Sequence, residues 1–182
     1  MTEIDNNKVA SSAEAGKSFY REKKYLQAAE AFSRAAEEYA AGGDVLLSAE
    51  MRNNQGVALL MAKKPRQALS AVEGTSEIFL EAGEIIKGAM ALANRAAAFK
   101  DLGERDQAVV YFSQAAESFL IAGEEEMYLQ TMQSISSLKM RNRNLMGALF
   151  SMQSGLKELK KPTWRQKLLK GLLSIPDKLL GR

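Results

Sequence analysis

The feature that most constrains this chain is a pattern of small and large apolar residues that recurs every forty residues. In the clearest copy the pattern consists of Ala96, Phe99, Ala108, Phe112 and Ala115. The corresponding positions in the other copies are Gly16, Phe19, Ala28, Phe32 and Ala35; Gly56, Leu59, Ala68, Val72 and Thr75; and, in a degenerate fourth copy, Ser136, Ala148, Met152 and Gly155. Because the spacing is constant, the chain reads as a repeat protein whose units stack on their neighbours.

Each repeat has the pattern of a helical hairpin. Apolar residues such as Leu26, Phe32 and Tyr39 recur at steps of three and four, which is the period of an amphipathic helix. The linkers are short, so consecutive helices must run antiparallel. Small residues are expected where the two helices of a hairpin cross, with Gly16 against Ala28 and Ala96 against Ala108. Phe32 and Phe112 are expected to pack toward the next hairpin.

We therefore predict an all-α solenoid of four helical hairpins followed by a C-terminal helix. The predicted segments are a flexible N-terminus at 1–8, repeats at 9–43, 44–83, 84–123 and 124–160, and a basic amphipathic segment at 161–182. Gly42 and Gly43 are expected to end the second helix, and Asp44 to cap the third. The return helix of the second hairpin is expected to run unbroken from Pro65 to about Glu81.

The composition argues against chemistry. The sequence has no histidine and no cysteine, which removes the commonest general base and the commonest soft metal ligands. It also has no glycine-rich phosphate loop after a strand. We predict no catalytic residue, no metal site and no cofactor. The N-terminal residues do not resemble a secretory signal and no long uncharged apolar run follows, so the expected location is cytoplasmic.

The anchor spacing resembles that of the tetratricopeptide repeat. Two copies, starting at Gly16 and Ala96, match all five positions of that motif. The repeat is forty residues long instead of the usual thirty-four, as in the long repeats of the kinesin light chain and soluble NSF attachment protein groups. The resemblance covers about residues 9 to 160 and implies a right-handed α-α superhelix that binds a protein or peptide partner in its concave groove.

In such a superhelix the first helix of each hairpin lines the concave surface. Asn54 and Asn94, forty residues apart, stand where this family often presents an asparagine to a bound peptide. A solvated or helix-packing role for the two amides is equally compatible with the sequence. The predicted peptide-binding residues are Lys17, Tyr20, Arg21, Asn53, Asn54, Val57, Leu60, Asn94, Ala97, Lys100 and Arg141.

The C-terminal segment differs from the repeats in charge. Residues 161–182 carry six basic side chains and one acidic one, a net charge of +5, whereas the whole chain carries +3. Its apolar residues fall on a helical stripe, which we expect to end near Ser174 because Pro176 follows. The predicted membrane or partner contacts are Trp164, Arg165, Lys167, Leu168, Lys170 and Leu172.

This segment leaves three interpretations open. It can cap the exposed end of the last hairpin. It can also make the protein a peripheral membrane adaptor, in which 162–182 lies on an anionic surface. In the third, exposed leucines pair two copies into a homo-oligomer. Nucleic acid is disfavoured, because the basic residues alternate with leucine and no reader motif is present.

Overall fold

The chain folds into a row of antiparallel helices. The computed structural model describes the backbone of residues 3–173 and the side chains of residues 12–173. Over this part of the chain it contains helices and no strand: α1 Glu3–Arg21, α2 Tyr25–Ala41, α3 Val45–Met61, α4 Pro65–Ala71, α5 Thr75–Glu81, α6 Ile85–Leu102, α7 Arg105–Ile121, α8 Glu125–Arg141, α9 Leu145–Lys157 and α10 Trp164–Leu173. The predicted all-α solenoid is confirmed. The predicted end of the last helix near Ser174 lies outside the described residues.

Seven of the turns between these helices share one backbone geometry, which recurs every twenty residues. In each of the seven, one residue is left-handed, with φ between 59° and 84°. These residues are Lys23, Gly43, Lys63, Gly83, Gly103, Gly123 and Arg143. At each of these turns the next amide donates five residues back, as from Lys24 N to Phe19 O at 2.9 Å and from Asp44 N to Tyr39 O at 2.9 Å. This pairing is the Schellman motif, which ends a helix by satisfying its last carbonyls.

Two polar residues cap the helices that follow such turns. The Asp44 carboxylate accepts a hydrogen bond from Leu47 N at 2.9 Å, which confirms the predicted cap of α3. The Asn144 side chain accepts from Gly147 N at 2.9 Å in the same way at the start of α9. Each bond satisfies an amide that the first turn of a helix leaves without a partner.

The return helix of the second hairpin is broken, so the prediction of one helix from Pro65 to Glu81 is wrong. The break follows α4, where Gly74 has φ of 74°. The carbonyls freed there find other donors. Thr75 Oγ1 donates to Val72 O at 2.8 Å, and Arg52 Nη2 reaches from α3 to Glu73 O at 2.6 Å. A glycine in an apolar helical pattern is therefore used here as a corner.

Two helix ends also differ from the prediction. The first helix, α1, begins at Glu3 instead of near Val9, and so takes in most of the segment 1–8 that the sequence predicts to be flexible. No proline or glycine interrupts those residues. At the other end of the solenoid, α9 stops at Lys157 instead of Lys160. The Lys160 amide instead donates to Glu125 Oε2 at 2.8 Å, at the start of α8.

Small anchors make room for large side chains inside each hairpin. A Cβ added to Gly16 would lie 2.7 Å from the Phe32 ring, and one added to Gly56 would collide with Val72 Cγ1. The space beside Gly16 is thus filled by the Phe32 ring, the anchor sixteen residues along. At the equivalent Gly56 the backbone of Ala68, the anchor twelve residues along, is also close, with its carbonyl oxygen 3.5 Å from the added Cβ. The crossing of Gly16 with Ala28 itself stays a prediction.

The apolar core divides into groups along the solenoid. One group belongs mainly to the first two hairpins and includes Ala28, Phe32 and Leu59, while a second belongs to the last two and includes Ala108 and Phe112. A small third group joins Phe79 of α5 to alanines of α3 and α6. Each hairpin thus covers the apolar face of its neighbour, as expected for a solenoid.

The fully buried Ala108 tests the packing of the third hairpin. Ala108→Leu is expected to lower the free energy of unfolding by about 1 to 3 kcal/mol, because the larger side chain overpacks the core. Ala41→Leu, on the exposed last turn of α2, is the matched control and should change it little. Chemical denaturation of both variants measures the difference. Equal stability of Ala108→Leu and wild type would contradict the packing.

The left-handed Gly74 tests the corner between α4 and α5. Nothing lies within 4 Å of a Cβ added there, so a substitution changes only the backbone preference. Gly74→Ala is expected to destabilise by about 1 to 2 kcal/mol, whereas Gly74→Asn should lose less because asparagine tolerates this conformation. Thermal or urea unfolding of the pair provides the measurement. An alanine variant as stable as the asparagine variant would argue against the corner.

Candidate protein-binding groove and C-terminal helix

The first helices of three consecutive hairpins line an open cavity of about 570 Å³. Its lining residues come from α1, α2, α3 and α6: Lys17, Tyr20, Arg21, Phe32, Asn53, Asn54, Val57, Met90 and Asn94. On α1 and on α3 the lining positions are spaced by three and four residues, so they share one face of each helix. We call this cavity the first groove. Its volume lies in the range of ordinary ligand-binding clefts.

A second cavity of about 250 Å³ continues along the first helices toward the last hairpin. It is lined by Met90, Ala93, Asn94, Phe112, Phe119, Met127, Gln130, Thr131 and Ser134. Met90 and Asn94 border both cavities. The two cavities therefore form one surface, which we call the concave groove, running across α1, α3, α6 and α8.

The structure brings most of the predicted peptide-binding residues together. Those that line the first groove are Lys17, Tyr20, Arg21, Asn53, Asn54, Val57 and Asn94. The other four do not line it. Leu60 packs against the first core group and Ala97 against the second, while Lys100 and Arg141 are exposed on α6 and α8. That any of these residues contacts a partner stays a prediction.

The sequence reasoning missed two residues that line the first groove. Phe32 is a packing anchor in the repeat, yet its ring also reaches the groove surface. Met90 lies one helical turn before Asn94, on the same face of α6, and that spacing could have identified it. Together with Val57 they form an apolar part of the groove lining, which we call the apolar floor.

A hydrogen bond between two asparagines joins α3 to α6 beneath the groove. Asn94 Nδ2 donates to Asn53 Oδ1 at 2.9 Å, and only 8% of Asn53 is exposed. The Nδ2 group of Asn94 therefore takes part in helix packing, which is one of the two roles that the sequence leaves open. Asn54 is half-buried and, within residues 12–173, its amide has no hydrogen-bond partner. Of the two asparagines predicted to meet a peptide, Asn54 is the one with free donors and acceptors.

Both cations that line the first groove stand on α1. Lys17 Nζ lies 2.7 Å from Glu14 Oε1. This hydrogen bond raises the pKa of Lys17 and lowers that of Glu14, so both groups are ionised at neutral pH. Arg21 has no salt-bridge partner among residues 12–173, and the charged residues that line the first groove are Lys17 and Arg21.

The last helix, α10, is attached to the solenoid by one of its faces. It starts with a capping box, in which Thr163 N donates to Gln166 Oε1 at 2.7 Å and Gln166 N to Thr163 Oγ1 at 3.4 Å. Leu169 and Leu173 then border an apolar cavity of about 340 Å³ against α8 and α9. Lys170 Nζ donates to Lys157 O at 3.3 Å, at the end of α9.

An adjacent face of α10 is open to solvent. Trp164, Leu168 and Leu172 are 70%, 59% and 54% exposed. The Arg165 guanidinium lies 5.3 Å from the centre of the Trp164 ring, and Lys167 is exposed. Of the predicted contact residues on this helix, only Lys170 is bonded to the solenoid, whereas the other five face outward or flank the outward stripe.

Among side chains 12–173, no group of three or more acidic side chains is placed to hold a metal ion. Among the described helices, none has the length and apolar character that a membrane span requires.

Antiparallel helices in a forty-residue repeat, tetratricopeptide-like anchors and a groove lined by first helices define the class of protein-interaction scaffolds built from helical repeats. Residues 7–159 match the sequence profile of the family described as soluble NSF attachment protein, SNAP. Because the match covers most of the chain, the protein belongs to this family, and the predicted resemblance to the long-repeat variety is confirmed. A comparison with curated proteins found no match. The family match ends before α10 begins at Trp164.

The hydrogen bond between Asn53 and Asn94 predicts that Asn94→Ala and Asn54→Ala have different effects on the free energy of unfolding. Asn94→Ala is expected to cost about 1 to 3 kcal/mol of stability, since it leaves the buried Asn53 Oδ1 without its donor. Asn54→Ala should stay within about 0.5 kcal/mol of wild type. Urea unfolding of both variants measures this. In the Asn53→Ala, Asn94→Ala double variant the loss should be smaller than the sum of the two single losses. Strict additivity would contradict the bond.

Proposed function

We propose that this protein is a non-catalytic scaffold that binds a segment of a partner protein in the concave groove. The observation that carries the proposal is the first groove itself, in which polar groups, among them Arg21 and Asn54, which are unpaired within residues 12–173, and an apolar floor converge on the first helices of three hairpins. The family supports it, since its description names attachment proteins and thus a binding role. Convergent polar groups around an apolar floor are typical of recognition sites.

The groove chemistry indicates what the segment would carry. Lys17 and Arg21 favour a carboxylate at the α1 end, because opposite charges steer and orient partners. Tyr20, Val57 and Met90 offer apolar contact next to it. The Asn54 amide can both donate to and accept from a peptide backbone. The expected ligand is therefore a protein segment in which acidic residues stand beside aliphatic or aromatic ones.

The length of the groove favours a segment over a small molecule. Four first helices, α1, α3, α6 and α8, border it. Directly packed helices lie about 10 Å apart, so a groove across four first helices spans at least about 30 Å. An extended chain covers that distance with about nine residues. A helical segment would need about twenty.

A peptide-display selection on the immobilised wild-type protein tests this function directly. Random twelve-residue peptides are selected, and their affinities are measured by fluorescence anisotropy. We expect enrichment of acidic and apolar residues together. Lys17→Glu, Arg21→Glu should weaken the selected acidic peptides about tenfold or more, because both cations of the first groove are reversed.

The matched control for this selection is Arg34→Glu, Arg66→Glu. It makes the same change in net charge at exposed positions of the second helices α2 and α4. It should bind the selected peptides as the wild type does. Peptides without acidic residues, or peptides whose affinity falls equally in both double variants, would count against recognition in the groove.

A further inference from the structure

The two faces of α10 are occupied by different residues. Successive helical residues are turned by about 100°, so Trp164, Leu168 and Leu172 form one stripe, and Leu169 and Leu173 lie to one side of it. Leu169, 37% exposed, and the half-buried Leu173 border the cavity against α8 and α9, whereas the stripe is more than half exposed. This helix can therefore cap the last hairpin with Leu169 and Leu173 and, at the same time, dock on another surface with Trp164, Leu168 and Leu172. We call Trp164, Leu168 and Leu172 the outer stripe.

We propose that the outer stripe docks this protein on an anionic lipid surface while Leu169 and Leu173 keep α10 on the solenoid. The inference does not depend on the groove, which lies on other helices. It also goes beyond the family, whose match ends at residue 159.

Charge supports a lipid surface with negative headgroups. Between 161 and 173 the chain carries Lys161, Arg165, Lys167 and Lys170 and no acidic residue. Arg165 and Lys167 flank the outer stripe on the helix surface, where long basic side chains can reach headgroups while leucines enter the acyl boundary. Anionic leaflets attract such clusters. Tryptophan, with an apolar ring and one polar N–H, favours the same interface.

The shape of the stripe also fits a lipid surface. Its three side chains are more than half exposed and project from the helix. Met146 and Phe150, one turn apart on the neighbouring helix α9, are exposed as well and add apolar area at this end of the molecule. A second copy is a poorer occupant, because facing stripes would bring two basic clusters together in the same interface.

The test uses the full chain and its single tryptophan, Trp164, as the probe. Vesicles of phosphatidylcholine with 30% phosphatidylserine are compared with pure phosphatidylcholine vesicles by co-sedimentation and fluorescence. With the anionic vesicles we expect binding, a blue shift of the emission and quenching by brominated lipid, all weakened by high salt. With neutral vesicles we expect little of either signal.

Two double variants test which residues bind the anionic vesicles. Leu168→Ser, Leu172→Ser keeps the tryptophan and should reduce partitioning into anionic vesicles at least tenfold. Leu120→Ser, Ile121→Ser changes two exposed apolar residues at the end of α7 and should bind as the wild type does. Circular dichroism verifies that both variants remain folded.

Three results would overturn the proposal. One is a wild-type protein that neither sediments with anionic vesicles nor shifts its emission. Another is equal partitioning of the two leucine-altered and wild-type proteins, which would move the contact elsewhere. The third is a dimer in light scattering that Leu168→Ser, Leu172→Ser disperses without any vesicle binding, which would assign the outer stripe to a second copy.

Discussion

The structure depends on a left-handed turn that returns every twenty residues. From Lys23 to Arg143 the same residue of each turn has positive φ, and the same pair of backbone hydrogen bonds ends the preceding helix. The helices from α2 to α8 thereby keep lengths of 17 or 18 residues, apart from the broken return helix of the second hairpin, and the first helices line the same groove. The concave groove follows from this regular spacing of the turns, because most of its lining residues lie on helices that begin and end at corresponding positions of each repeat.

The packing between the helices forms the surface that we propose as the binding groove. Phe32 fills the space over Gly16 and at the same time floors the groove, so a core residue and a site residue are one side chain. The bond between Asn53 and Asn94 sets two first helices side by side and leaves Asn54 with its polar groups free. Stability and recognition thus share the same few contacts between neighbouring hairpins.

Much of this fold could be predicted from the sequence, because a constant forty-residue spacing leaves little choice of architecture. The corner at Gly74 could not, since one glycine in an apolar helical pattern can equally stay helical. The Asn53–Asn94 bond was hidden because its partners are forty-one residues apart, one off the period. The faces of α10 needed the structure too: the sequence shows where leucines stand on a helix, but not which of them a neighbouring hairpin covers.

The corner at Gly74 also affects which part of the molecule we expect to unfold locally. Solenoids usually lose hydrogen-exchange protection from their ends, where a repeat has only one neighbour. Here the two seven-residue helices α4 and α5 place amides without helical partners in the second of four hairpins. We expect these amides to exchange faster than those of an unbroken helix, inside the solenoid and in the hairpin whose first helix supplies Asn53, Asn54 and Val57. A partner held in the groove would slow the exchange of amides that it never touches.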